Sequence, residues 1–296
     1  MTKRAWQAEG IVSLLYGKDK KRALSIEPGL HNVLGLESYF KKKPVDMDFL
    51  NPSSAFFHLK NLSTQIYLRS LRPHLESISH EAIVLDAGCG IGRFTTYLAE
   101  RFKKLVAFDP SLSSLNVCRH HLIEQGLHNV ELHWADISFL DHWKRNFFDV
   151  VFATELICYT TDPMKSLKRL IRVAKPNAKI FLSVEGYLGG LCTQGVDEPQ
   201  TLLGILSGKP LILENNRFVV YFNRDGFGKL LCDVGLKDVI IEESHFFGEG
   251  VFWQSIDDSR LGDQTYVNMI IRAEDFCRAN PLIAELARVF MAVGKK

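Results

Sequence analysis

The segment Val84-Leu85-Asp86-Ala87-Gly88-Cys89-Gly90-Ile91-Gly92 constrains this chain more than any other. A short apolar run ends in a carboxylate, glycine follows at alternate positions, and a helix-like stretch, Arg93 to Arg101, comes next. That order describes a buried strand, a tight loop and a helix. Glycine is needed where backbone turns sharply or approaches a ligand with no Cβ in the way. The N-terminus of the helix offers N–H groups to polar ligand atoms.

The dinucleotide fingerprint G-x-G-x-x-G needs a third glycine for close helix–strand packing around a pyrophosphate. Counted from Gly88 and Gly90, that place is held by Arg93, and the chain reads G-x-G-x-G. Lys104 to Phe108 is a second apolar strand closed by Asp109 and Pro110. Asp109 lies 23 positions after Asp86, near the spacing of about 20 residues at which nucleotide-binding βαβ units place a ribose-binding acid. An aspartate before Pro-Ser can also be a helix N-cap or turn residue; Ser111 is the better cap for a helix from Leu112 to Gln125. Val130 to Trp134 alternates as a third strand, followed by Asp136-Ile137. Phe147 to Ala153 is continuously apolar, as a strand covered on both faces should be. It leads into Thr154, Glu155 and, through Ile157 and Cys158, to Tyr159. Pro163 opens a helix through Ala174, a turn is expected over Lys175–Lys179, and Ile180 to Val184 makes a fifth strand ending at Glu185-Gly186.

These motifs resemble those of the class I S-adenosylmethionine-dependent methyltransferases over about Ile83 to Val184. The resemblance implies a Rossmann-like α/β fold: a seven-stranded sheet, mostly parallel with the last strand antiparallel, helices on both faces and an N-terminal helical cap. It also implies S-adenosyl-L-methionine as cofactor. The methionine end would fall to Asp86 with the Gly88, Cys89, Gly90 and Gly92 loop and Thr154, the ribose to Asp109, and adenine to Pro110, Asp136 and Ile137. The chain departs from the commonest small-molecule pattern, which often carries a His where Ile157 stands.

Downstream, Arg224 to Val234 reads as a helix with Gly235 at its C′ position, Val239 to Glu242 as a sixth strand, Asp263 to Ala279 as a helix and Arg288 to Val293 as a seventh strand. In the resembled family that last strand inserts antiparallel between the fifth and sixth. Residues 1–80 form a distinct cap or substrate region, punctuated at Pro28-Gly29, Lys43-Pro44 and Asn51-Pro52, with its best helical pattern over Ser54 to Leu71. Residues 81–296 form the cofactor-binding domain, with an ordered insertion at about 187–222.

Methyl transfer from a sulfonium asks mainly for alignment and exclusion of water. A general base is required only where the acceptor must lose a proton. Glu155 and Tyr159 are candidates beside the methyl position; His58 and His245 are candidates from the flanking regions, each with a plain structural alternative as a surface or core histidine. Phe56-Phe57, Phe246-Phe247 and Trp253 could line an acceptor cavity or belong to the core. No metal is expected: six cysteines (Cys89, Cys118, Cys158, Cys192, Cys232 and Cys277) lack paired spacing, which favours reduced thiols in a cytoplasmic setting.

A net charge of +2 excludes a strongly basic nucleic-acid binder, and Lys18 to Arg22 and Lys41-Lys42-Lys43 read as solvated clusters. No apolar run reaches the ~18 residues of a membrane span. The expected partner is a small-molecule acceptor; the oligomeric state does not follow. Two rivals remain: a non-catalytic cofactor-binding module, and an aminopropyltransferase or nucleotide-dependent enzyme on a related fold.

Overall fold

The structure, a computed structural model, describes residues 11–13, 40–193, 203, 211–212 and 218–296. The Lys18 to Arg22 cluster, Pro28-Gly29 and most of the cap and insertion segments up to residue 39 and over 194–217 lie outside the described residues.

Seven strands build the main sheet: β2 (Ile83–Ala87), β3 (Lys104–Asp109), β4 (Val130–Trp134), β5 (Phe148–Ala153), β6 (Ala174–Glu185), β9 (Lys237–Ser244) and β10 (Val289–Lys295). Their spatial order is β4-β3-β2-β5-β6-β10-β9. The first five run parallel, and β10 inserts antiparallel to both β6 and β9. An eighth strand beyond the expected seven, β1 (Ile11–Ser13), pairs in parallel with β4 at the edge. The inner strands are buried on both faces, which explains their continuous apolar sequences.

The expected turn over Lys175–Lys179 lies within β6 as an irregularity of pairing. Phe148 faces Ala174, yet Val150 faces Lys179, and Asn177 takes φ 64° to absorb the extra residues.

Helices cover both faces. α3 (Thr95–Arg101) and α4 (Leu112–Glu124) pack with β2 and β3 on one side. α5 (Pro163–Val173) and α7 (Arg224–Asp233) pack on the other. Side-chain caps begin three of these four helices: Ser111, the cap expected from the sequence, accepts from the Ser114 N–H, Asp162 from Lys165 and Asn223 from Gly226.

The N-terminal region contributes α1 (Pro44–Met47) and the long α2 (Phe57–Leu75). Tyr67, Leu68, Leu71 and Leu75 of α2 enter the same core as β2 and β3. Leu62 and Ile66, one turn earlier, pack against Val267 and Ile270 of α8 (Gln264–Ala279). One helix therefore joins the sheet to the C-terminal helix. Lys41, Lys42 and Lys43 are exposed.

After β6 the insertion opens with α6 (Tyr187–Thr193) and contains the short antiparallel pair β7 (Leu211–Ile212) and β8 (Phe218–Val219). Its return is tied to the sheet by Val220 N–H donating to Cys158 O (2.7 Å) and Phe222 N–H to Glu185 O (3.0 Å). A short helix, α9 (Pro281–Ala284), precedes β10.

Gly186 sits where α6 leaves β6 against the entry to β10, and a Cβ there would lie 2.2 Å from Ala287 O, a backbone atom. Gly228 in α7 offers a contrast, since its Cβ would meet only the Ile241 Cδ1 tip at 3.4 Å. Gly186→Ala should therefore cost at least about 1–3 kcal/mol in urea unfolding. Gly228→Ala should stabilise by up to about 1 kcal/mol through helix propensity.

Candidate active site

In a parallel sheet ligands bind outside the carboxyl ends of the strands. Here an acid stands at or just beyond that end of every parallel strand from β2 to β6: Asp86, Asp109, Asp136, Glu155 and Glu185. The sheet brings these together at one edge. They divide into a nucleotide-type half and a buried charged half.

The first half is built around Asp109, which is 8% exposed. Its Oδ2 accepts the Gly90 N–H at 2.9 Å and its Oδ1 the Ser111 N–H at 2.8 Å. Gly88 and Cys89 N–H groups both donate to Phe108 O, so the glycine loop wraps over the end of β3. Gly88, Gly90 and Gly92 all take positive φ (72°, 55° and 94°). The reason differs by position: a Cβ at Gly92 would meet Cys118 Sγ at 2.7 Å, whereas one at Gly90 would meet nothing within 4 Å. Gly90 thus leaves open space in front of the loop. Cys89 is buried.

Asp86 lies beneath the loop, 2% exposed, accepting from Thr95 Oγ1 at 2.7 Å. Burial pushes its carboxyl up to about 7, against the Thr95 hydrogen bond and with help from Asp109. Pro110 O accepts from Trp134 Nε1 (2.8 Å), fixing the next turn. Asp136 Oδ1 accepts the Ser138 N–H at 2.7 Å, capping a short 3₁₀ turn, Ile137–His142, in which Ile137 is buried. Thr154 is half-buried at the end of β5.

The second half centres on Arg288, at the entry to β10 and 9% exposed. Its Nη2 donates to Glu185 Oε1 at 3.0 Å and its Nη1 lies 3.3 Å from Glu155 Oε1. Tyr67 OH donates to the same Glu155 oxygen at 2.6 Å, and Tyr159 OH donates to Glu185 Oε1. Glu155 takes φ 49°, a conformation uncommon outside glycine, and its N–H is held by Ser183 O (3.1 Å) and Oγ (2.9 Å).

Burial alone would raise the Glu155 carboxyl, but Arg288, Arg93 and the Tyr67 hydroxyl outweigh it and hold the group well below the usual carboxylate range. Glu185 has the opposite balance: burial dominates the pull of Arg288, Glu155 and Glu249 add repulsion, and the carboxyl rises to about 7.

His245 is fully buried in this half. Its Nδ1 meets Ser244 Oγ (2.7 Å), its Nε2 meets Ser63 Oγ (2.9 Å), and its ring lies on Tyr67 with centroids 4.2 Å apart. Burial first, then Arg288, lowers its pKa to about 3, so the ring is neutral at ordinary pH. His58 lies elsewhere, exposed on α2 against Phe57 and Gly262. Phe246 is core and Phe247 packs on Phe252, whereas Phe56 and Trp253 are exposed, so the aromatic set does not form one cavity wall.

Sequence reasoning missed Arg288, Glu185, Tyr67, Lys60 and Glu249. Lys60 pairs with Glu249 and, with Arg93, lies over the Phe49 ring, at 5.5 and 4.8 Å from its centroid. One signal was available: an antiparallel strand among parallel ones starts where its neighbours end, so the residue before β10 had to reach the acid-bearing edge.

Residues 85–182 match the family model described as a methyltransferase domain. A ubiquinone biosynthesis O-methyltransferase of Hahella chejuensis is 35% identical over 100 residues, covering 34% of this chain and 42% of the relative. One from Coxiella burnetii is 29% identical over 143 residues, covering 48% and 53%. The chain thus spans about half or less of the length of these curated relatives. A Thermotoga maritima structure titled a possible histamine N-methyltransferase superposes at TM-score 0.55 with 14% identity, covering 88% of this chain and 99% of the other. Haemonchus contortus phosphoethanolamine N-methyltransferase 2, solved with S-adenosyl-L-methionine, superposes at 0.52 with 17% identity, covering 89% and 56%. These two likenesses concern the fold.

Removing the Arg288 charge strands the buried Glu185 and the half-buried Glu155. Arg288→Met should cost about 3–5 kcal/mol in urea unfolding at pH 8. The deficit should shrink at pH 5, where Glu185, with its raised pKa, is protonated and no longer needs a cation. Residues 85–182 of the chain thus match a methyltransferase domain.

Proposed function

We propose that this protein transfers a methyl group from S-adenosylmethionine to a small organic acceptor. The observation that carries the reading is the glycine loop folded onto Asp109, with open space at Gly90, inside the segment that matches a methyltransferase domain.

The residues fit such a cofactor chemically. Asp109 is the proposed ribose acceptor, since the two oxygens of a carboxylate suit a pair of ribose hydroxyls. Asp86 is a buried acid whose ionised form gains from a nearby cation. Asp136 and Ile137 occupy the adenine side, and Pro110 presents an apolar face. Bound S-adenosylmethionine supplies a methyl group on positively charged sulfur, open to in-line displacement.

The chain's own contribution is orientation and exclusion of water. The turn Glu155–Tyr159 adjoins the glycine loop, because a Cβ at Gly88 would lie 2.9 Å from Leu156 Cδ1. The acceptor side is then bounded by Tyr159 and by Tyr187, Leu191, Val219 and Tyr221 of the insertion, which pack together. This reading assigns residues 1–80 to a cap region and 187–222 to an insertion. The O-methyltransferase relatives favour a hydroxyl acceptor. Cysteines that are all free among the described residues support a reducing, cytoplasmic setting. No described helix is long and apolar enough to cross a membrane. The small net charge favours a small molecule over nucleic acid.

Isothermal calorimetry should give a clear isotherm with S-adenosylmethionine and none with NAD; the reverse result overturns the reading. Asp109→Ala should weaken binding about 100-fold, the loss of charge-assisted hydrogen bonds worth about 1.5–3 kcal/mol each, while circular dichroism stays unchanged. Between pH 5.5 and 6.5 affinity should rise close to tenfold, because Asp86 ionises only as pH approaches about 7 and the cation favours that form. Asp86→Asn should flatten this dependence.

A further inference from the structure

Glu185 is wholly buried at the end of β6, yet its Oε1 is shared by two donors from different elements. One is Arg288 Nη2 at 3.0 Å; the other is the hydroxyl of Tyr159. Tyr159 is only half-buried, and its ring packs among the insertion residues Tyr187, Leu191, Val219 and Tyr221. The phenol therefore connects a sealed carboxylate to the side on which an acceptor would sit. Backbone bonds fix both ends: Tyr159 N–H donates to Leu156 O (3.0 Å), and Glu185 O accepts from Phe222 N–H (3.0 Å).

We propose that Tyr159 and Glu185 form a two-residue relay that takes the proton from a hydroxyl-bearing acceptor during methyl transfer. The inference rests on the methyltransferase reading above. Tyr159 touches the acceptor; Glu185 acts through Tyr159 as the proton's destination. As the acceptor oxygen forms the new C–O bond, the C–S bond breaks and its electron pair stays on sulfur. The hydroxyl proton passes to the Tyr159 oxygen while the phenol proton passes to Glu185 Oε1. Charge balances, because the sulfonium loses its charge as the carboxylate is neutralised.

The alternatives in the cluster are less suited. Glu155 is held ionised by Arg288, Arg93 and Tyr67 and binds a proton poorly. His245 has both ring nitrogens engaged with Ser63 and Ser244. A free tyrosine, with a pKa near ~10, is a weak base alone; coupled to a carboxylate it needs no lasting phenolate. Glu185 is faced by Arg288 from the β10 entry, Tyr159 and Glu155 from beyond β5, Lys60 from α2 and Glu249 from the loop after β9. This surrounding leaves its carboxyl near about 7, suited to accept a proton and to release it after each turnover.

The test uses the full chain with S-adenosylmethionine and catechol, phenol and benzylamine as probe acceptors, with methylated products read by mass spectrometry. At saturating S-adenosylmethionine the relay predicts O-methylation whose rate rises with pH through about 7, as Glu185 loses its proton. Tyr159→Phe and Glu185→Gln should each lower it about 100-fold or more with S-adenosylmethionine affinity unchanged. Glu185→Gln should also abolish the inflection, and Glu185→Asp should restore part of the rate. Difference infrared spectra of the ligand-free chain between pH 6 and 8 should show carboxyl bands of Asp86 and Glu185, of which one is lost in Glu185→Gln and the other in Asp86→Asn. If Tyr159→Phe retains full rate, if the inflection survives Glu185→Gln, or if only benzylamine is methylated or no probe is, the relay is overturned. Failure to bind S-adenosylmethionine at all overturns the functional reading instead.

Discussion

The Arg288 guanidinium is the interaction on which the geometry of this edge depends. It enters from the one strand that runs against its neighbours and reaches acids that terminate β5 and β6. Its backbone is clamped as well, with Gly186 N–H donating to Arg288 O at 2.6 Å and Arg288 N–H to His245 O at 3.4 Å. A buried ion pair is seldom a net source of stability, because desolvation offsets most of the attraction. What it secures here is position. Glu155, Glu185, Tyr67 and Tyr159 are oriented by one planar cation, and the strained φ at Glu155 is held in place by Ser183 and that cluster.

The two halves of the edge use buried acids differently. Asp109 spends its charge on backbone N–H groups and so shapes the loop it faces. Asp86 has fewer donors, and burial leaves it close to half-protonated near neutral pH. Across the β5 end, Glu155 is kept ionised by cations while Glu185 is not. On the proposed function, one side would hold a cationic, nucleoside-bearing ligand and the other would take up a proton beside it.

Much of the frame was legible because the inner strands are covered on both faces and therefore read as unbroken apolar runs. The order strand, glycine loop, helix, strand, acid needed no tertiary information. The antiparallel insertion of β10 was implied by the family resemblance and is seen in the pairing of Val289 with Glu185 and Ser244. Local signals failed where pairing decided the outcome: Lys175–Lys179 reads as a turn, but the strand continues through it as an irregularity. The nucleotide-type half was readable because its residues are close in sequence to their strands. The buried charged half was not, since Tyr67, Glu155, Glu185 and Arg288 are brought together by helix docking and strand order that no local spacing encodes. His245 and His58 show the same limit, as identical side chains with one sealed in the core and the other in solvent.

The most direct test of the account is a crystal structure with S-adenosylhomocysteine soaked or co-crystallised. The account predicts ribose hydroxyls on Asp109, the adenine edge at Asp136 and Ile137, and the sulfur directed toward the Glu155–Tyr159 turn. A nucleoside bound away from the Gly88–Gly92 loop, or a sulfur pointing away from Tyr159, would contradict it.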